Sequence, residues 1–149
     1  MKKNITILSL LFALSGVILS QNIPTTSDND SNTVAFWHFN EGSGTILHDA
    51  SLYHNDGTIH NATWTVGQTD SALHFNGLTS YVILPNSPSL QPMDEFTVEA
   101  SISLDTLTSD AHIVASNAGY YPDAGGFQLI LAQNKLYFEY RCGGSAIFH

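Results

Sequence analysis

The stretch FWHFNEGSGTILHDASLYHNDGTIHNATW, residues 36–64, holds two tryptophans, two phenylalanines and four histidines around a run of Gly, Ser, Asn and Asp. Such a density of possible ligands suggests a metal or catalytic centre. The alternative is the opening of a β-sandwich, with its aromatic residues in the core and its polar residues in turns. The spacing favours the sandwich. His48, His54 and His60 recur every six residues, a period that a turn-rich loop does not keep in space. Neither zinc-helix spacing nor a Cys/His framework is present. His38 and His74 stand among apolar strand residues, where a hydrogen-bonded structural histidine is the commoner case. Trp37 and Trp64 fall in or beside strands and read as core.

Working outward, the apolar residues alternate. TVAFWHF (33–39) is a β-branched and aromatic run. In FTVEASISLD (96–105), Phe96, Val98, Ala100, Ile102 and Leu104 fall on one face, and Thr97, Glu99, Ser101, Ser103 and Asp105 on the other. Successive strand side chains point to opposite faces, so this segment is a half-buried antiparallel strand. ALHF, then Asn76-Gly77, then LTSYVIL (72–84) reads as strand, turn and strand, with Asn-Gly a strong hairpin signal. HIVAS (112–116), FQLILA (127–132) and KLYFEYR (135–141) continue the series, the last two joined by a tight reversal at Gln133-Asn134. Pro85, Pro88, Pro92, Gly119, Gly125 and Gly126 supply turns between strands. No window holds a 3.6-residue period and no internal repeat is visible. The fold class is all-β, an antiparallel β-sandwich of the jelly-roll kind. Trp37, Phe75, Val82, Phe96, Val98, Ala100 and Ile102 are its expected buried residues, and Asn76-Gly77 is expected to join adjacent antiparallel strands.

The N-terminus has a different character. Lys2 and Lys3 precede the apolar run ITILSLLFALSGVIL (5–19), which ends in Ser20-Gln21. This is the layout of a secretory signal peptide over residues 1–20. The run is shorter than the ~20 apolar residues of a spanning helix, and no basic stop-transfer flank follows, so no membrane insertion of the mature chain is expected. NIPTTSDNDSN (22–32) is polar and without hydrophobic period, which makes residues 21–32 a linker before a domain over 33–149. The expected destination is secreted or cell-surface.

The full chain of 149 residues has four Lys and Arg against thirteen Asp and Glu. Lys2 and Lys3 belong to the leader and all thirteen acids follow it. The mature chain therefore has two cations against thirteen acids, a net charge of −11. Two dispersed cations cannot form the positive footprint that phosphate binding requires, so nucleic acid is excluded as an expected partner. Cys142 is the single cysteine and cannot make an internal disulfide.

The ordered motifs over residues 34–104 carry a family likeness. An aromatic-rich first strand leads into the Gly-x-Gly turn Gly42-Ser43-Gly44, then a polar loop from Asp49 to Gly57, then Trp64. The Phe75-Asn76-Gly77 to Tyr81-Val82 segment and the extended Phe96–Glu99 strand follow. The set resembles the laminin-G-like jelly roll of the concanavalin A-like lectin/glucanase superfamily. Ser101 stands where that family usually has Trp, and Tyr53 where the loop commonly has Gly. The resemblance implies further closing strands after His149.

The E-x-D-x-E strand by which β-glucanases of the superfamily resemble one another is absent. Glu95 and Glu99, four apart on a strand, would be ~13 Å apart, too far for either glycosidase geometry. There is no G-x-S-x-G either, so the sequence assigns no catalytic residue. Asp49, Asn55 and Asp56 can offer side-chain oxygens to a hard cation, and the resemblance adds that many jelly-roll relatives hold calcium. The same residues also make turns by bonding their own backbone. Tyr120 and Tyr121, in the turn-rich SNAGYYPDAGG, are the candidate ligand-binding residues, because exposed aromatic rings stack against sugars. The expected function is a secreted, non-catalytic module that recognises a polysaccharide or glycan. The alternatives are the N-terminal part of a glycoside hydrolase or lyase, or a domain that recognises protein.

Overall fold

The computed structural model describes residues 3–7, 31–91, 96–105, 110–116, 126–133, 135–142 and 145–148. They form twelve strands and one short 3-10 turn, Pro88–Leu90, with no α-helix among them. The chain is all-β. Among the described residues no helix is long and apolar enough to cross a membrane. The strands divide between two compact units, one of residues 1–90 and 95–103, the other of residues 91–94 and 104–149.

The first unit contains β1 (Lys3–Ile7), β2 (Thr33–Trp37), β3 (Ile46–Leu47), β4 (Gly57–His60), β5 (Thr63–Val66), β6 (Ser71–His74), β7 (Tyr81–Ile83) and β8 (Phe96–Ala100). One sheet has the order β2-β1-β8. Both of its pairings are parallel, Ile5 being opposite Ala35 on one side and Val98 on the other. An antiparallel arrangement was expected here. Tight turns force antiparallel neighbours, whereas the long connection from residue 7 to residue 33 lets the chain return in the same direction. The central strand of this sheet thus comes from within the segment read as a signal peptide.

β2 is buried along its whole length, Thr33, Val34, Ala35, Phe36 and Trp37 all being shielded from solvent. An unbroken β-branched and aromatic run suits a strand covered on both faces. β8 shows the alternation read from its sequence. Phe96, Val98 and Ala100 face inward, half-buried, while Thr97 and Glu99 are exposed. Ile102 is likewise half-buried.

A second sheet has the order β3-β4-β7 and is antiparallel, with Ile59 opposite Val82 and His60 opposite Tyr81. Its inner face holds Leu47 and Ile59, both buried, with Gly57 and the half-buried Val82. Gly57 permits the close approach of β7, because a Cβ there would lie 2.6 Å from Val82 Cγ1. β5 and β6 form a separate antiparallel hairpin, closed by the Gly67 amide donating to the Asp70 carbonyl at 2.7 Å.

The Asn76-Gly77 reading therefore needs correction. The strands on either side, β6 and β7, do not pair with each other but belong to different sheets. Asn76 itself is the reason. Its Oδ1 accepts the amides of Leu78 and Thr79 at 2.9 Å and of Ser80 at 3.2 Å, and its own amide donates to Ser80 Oγ at 2.6 Å. The side chain organises a wide loop in place of a two-residue turn, and Gly77 takes a left-handed φ of 69° within it. Phe75, expected in the core, is carried to the surface at 43% exposure.

The second unit is one antiparallel sheet of order β12-β11-β10-β9, built from β9 (Asp110–Ser116), β10 (Gly126–Ala132), β11 (Lys135–Cys142) and β12 (Ser145–Phe148). β10 and β11 form the tight hairpin read from the sequence, with Ala132 opposite Lys135 and Gln133 at a left-handed φ of 50°, the backbone twist that short hairpins require. Phe127 and Leu131 are buried, and the Phe127 and Phe138 rings stack at 6.4 Å.

Candidate functional site

The loop after β3 brings Asp49, Asn55 and Asp56 together, as their sequence proximity suggested. Asp49 is only 3% exposed, and every direction around its carboxylate meets a donor. Oδ1 accepts the Phe36 amide at 2.8 Å and the Ser51 amide at 2.9 Å. Oδ2 accepts the Ser51 hydroxyl at 2.8 Å and the Asn55 amide at 2.7 Å. Four donors stabilise a buried negative charge that would be costly alone.

Asn55 extends the network. Its Nδ2 donates to the Val34 carbonyl at 2.9 Å and to Ser89 Oγ at 3.0 Å, and its carbonyl accepts from Trp37 Nε1 at 3.1 Å. The Ala50 amide donates to the Phe36 carbonyl at 2.8 Å. Backbone groups alternate sides along a strand. The contacts to Val34 and Phe36 therefore all fall on the edge of β2 that faces away from β1. The loop works as an edge cap, supplying side-chain and main-chain partners where a neighbouring strand would otherwise be needed.

Asp56 holds the loop from outside. Its Oδ1 accepts the Asp49 amide at 2.9 Å, and its Oδ2 lies 3.2 Å from His48 Nδ1. The Asp49 amide is the main reason its carboxyl is held below the ordinary 3.8; partial burial pulls the other way, and His48 and His54 add to the lowering. A folded-state value below the unfolded one gives stability that is present above the ordinary carboxyl range. That stability is lost as pH falls through the lowered value. Denaturation of wild type and Asp56→Asn over a pH series should therefore show a stability difference at pH 6 that narrows below about 3.8. The effect should be small, because the His48 and Asp56 side chains are 66% and 45% exposed and solvent screens the pair. A difference that stays constant down to pH 2 would mean that the Asp56 charge has no part in holding the loop.

These contacts also state what a cation would have to do here. The oxygens of Asp49, and the side chain of Asn55, already serve the loop and β2. A calcium ion ligated by them would have to replace those hydrogen bonds. Among the described residues, no group of three or more His, Cys, Asp or Glu is placed to hold a metal ion.

The β3-β4-β7 sheet offers a different kind of surface. Its register puts Ile46, Thr58 and Ile83 in one row and His60 and Tyr81 in the next on the same face. Tyr81 is 49% exposed and Ile46 and Ile83 are also open to solvent. The Tyr81 and His60 rings stack with centroids 4.8 Å apart and planes at 22°. No acid, Lys or Arg lies in either row. Sequence reasoning read Tyr81 only as a hairpin strand residue. The signal that could have found it is parity: Val82 packs opposite the buried Ile59, which turns Tyr81 and Ile83 outward.

Tyr120 and Tyr121 lie outside the described residues. His38, just beyond the end of β2, meets the Phe36 ring edge-on at 4.3 Å. In the second unit, Gln128 and Glu139 are buried directly opposite each other on β10 and β11, and the Gln128 amide donates to the Glu139 carboxylate. The sequence offered no signal for that pair beyond two polar residues in apolar strands. Glu99 is exposed on β8.

Compared with family models, curated proteins and solved structures, the chain has no match.

Proposed function

We propose that the chain is an exported, non-catalytic module that binds a polysaccharide or glycan, on a jelly roll of the concanavalin A-like, laminin-G-like kind. The observation that carries this reading is the uncharged aromatic face of β3-β4-β7, with Tyr81 stacked on His60 and open to solvent. A sugar ring lays its C–H face on such a surface, while hydroxyl and imidazole groups at the margin fix its orientation. Thr58 and His60 are the polar neighbours available there. The large negative charge of the chain favours neutral glycans over acidic ones, since like charges repel. The ordered motifs from the Gly42-Ser43-Gly44 turn to Phe96 support the family reading. Gly42 and Gly44 do take left-handed φ values of 66° and 86°.

The test is a glycan array followed by titration of any hit with wild type, Tyr81→Ala, and a Tyr120→Ala/Tyr121→Ala double variant. Loss of one stacking ring removes about 1–2 kcal/mol, roughly a tenfold weakening, so Tyr81→Ala should weaken binding at least that much with its melting temperature nearly unchanged. Binding lost only in the double variant would move the site to the 117–126 segment. No glycan bound by wild type would transfer the exposed Ile46, Ile83 and Tyr81 face to protein recognition. Repeating the melts in calcium and in chelator tests the cation proposal for the loop after β3.

A further inference from the structure

The sheet β2-β1-β8 has an arrangement with a consequence for processing. Its middle strand is Lys3–Ile7, which lies within the leader-like residues 1–20. Its two outer strands come from residues 33–37 and 96–100 and make no pairing with each other. The outer edge of β2 is already closed, with Phe36 and Val34 satisfied by Asp49, Ala50 and Asn55. Alternation along the strand turns the backbone groups of Ala35 and Trp37 the other way, toward β1. The register agrees, with Ile5 opposite Ala35 and Val98, and Ile7 opposite Trp37 and Ala100. If the leader is cut away, these groups on β2 and their counterparts on β8 lose their partners together.

We propose that the position between β2 and β8 is a strand-acceptor site, filled in cis by Lys3–Ile7 and opened by removal of the leader. Its occupant is an extended segment running parallel to both walls, recognised chiefly through main-chain hydrogen bonds as in β-strand addition. The walls supply the selectivity. β2 is uncharged and buried throughout its length, and β8 turns Phe96, Val98 and Ala100 inward. The site therefore suits a segment of uncharged, β-branched residues such as Asn4-Ile5-Thr6-Ile7. Sheet positions left open in this way are also where unwanted pairing begins, so the leader strand protects the chain until it is removed. This inference rests on the reading of residues 1–20 as a cleaved leader, but the acceptor site can be tested without it.

The full-length chain would be prepared with a specific protease site introduced in the 22–30 segment, folded, and then cut. Failure to fold is thereby separated from loss of the strand. A fluorescent peptide of residues 1–9 is added in excess, with an Ile5→Pro version as control, since proline cannot make the ladder bonds of a central strand. The cut protein should take up the first peptide and not the second. Amide exchange at Ala35, Trp37, Thr97 and Glu99 should quicken by about 100-fold when the leader fragment has been washed out, and slow again on adding the peptide. The Thr58, His60, Tyr81 and Ile83 amides, which form the hydrogen-bonded pairs of β4 and β7, should change little.

Three results would overturn the acceptor site. One is failure of the cut protein to take up the peptide. Another is unchanged exchange at Ala35 and Trp37 after the fragment has left. The last is loss of protection at Thr58, His60, Tyr81 and Ile83 as well, which would make β1 an indispensable part of the unit. Mass measurement of exported protein tests the leader separately. An intact Met1 would end the reading of residues 1–20 as a cleaved leader and leave the result on the cut chain standing.

Discussion

Replacing Asp49 by alanine should lower stability by about 3–5 kcal/mol, near the top of what single substitutions do. The physical reason is the number of donors stranded at once. The amides of Phe36, Ser51 and Asn55, and the Ser51 hydroxyl, all end on this one carboxylate. Asp49 and Ser51 are buried, so water does not freely replace the lost acceptor. An unpaired buried donor costs roughly 1–3 kcal/mol, and local rearrangement recovers some of the sum. For a unit of this size the melting temperature should fall by on the order of 15 °C or more. Asp49→Asn is the informative companion. It keeps one acceptor oxygen but points an NH2 group at two donors, so it should cost a substantial part of the alanine effect. A urea or thermal melt of Asp49→Ala within about 1 kcal/mol of wild type would show that the loop does not hold the edge of β2.

Trp37→Ala should be as damaging, at about 3–5 kcal/mol, from a different cause. Trp37 is 1% exposed and fills the core beneath the loop, so its removal leaves a cavity that neighbours cannot fully close. Its Nε1 also donates to the Asn55 carbonyl at 3.1 Å. Trp37→Phe separates the two contributions, because it keeps much of the apolar volume but loses the donor. It should cost roughly 1–2 kcal/mol, the sum of a lost hydrogen bond and a small void. Trp37 bridges to Asp49 in the backbone pattern and meets Asn55 through its side chain. The two substitutions therefore act on one network. Trp37→Ala combined with Asp49→Ala should cost clearly less than the sum of the two, with a coupling of about 1 kcal/mol or more measured by a double-mutant cycle. Strict additivity would mean that core and loop are held independently.

Much of the strand content could be read residue by residue. The parity of Phe96 to Ala100, the burial of Trp37 and the Gln133 reversal follow from local pattern. Alternation and turn chemistry act within a few residues and require no knowledge of the partner strand. The Asp49–Asp56 loop was legible as a cluster of oxygens but not as an edge cap. Turn residues and cation ligands have the same composition, and only the approach of Val34 and Phe36 shows where those oxygens and amides go. His48 and His54 were set aside for their spacing, yet the loop brings both within electrostatic reach of Asp56.

By itself, then, the sequence determined that this is an all-β chain, strongly acidic, with a β-branched and aromatic strand at residues 33–37 and a half-buried one at 96–100. Those properties depend on side-chain chemistry and on a period of two, both local. Which strands became neighbours was decided only in the tertiary structure. β7 passed over the adjacent β6 to pair with β4, because Asn76 bound the amides that a tight turn would have used, and because Gly57 let Val82 come close. Tyr81 was thereby turned to solvent and Phe75 carried out of the core. Lys3–Ile7 took the place between β2 and β8, though nothing in its own sequence distinguishes a sheet strand from the start of a leader. Pairing is a contest among distant segments for the same backbone hydrogen bonds. Its outcome depends on which partners can reach each edge, and that is a property of the folded chain.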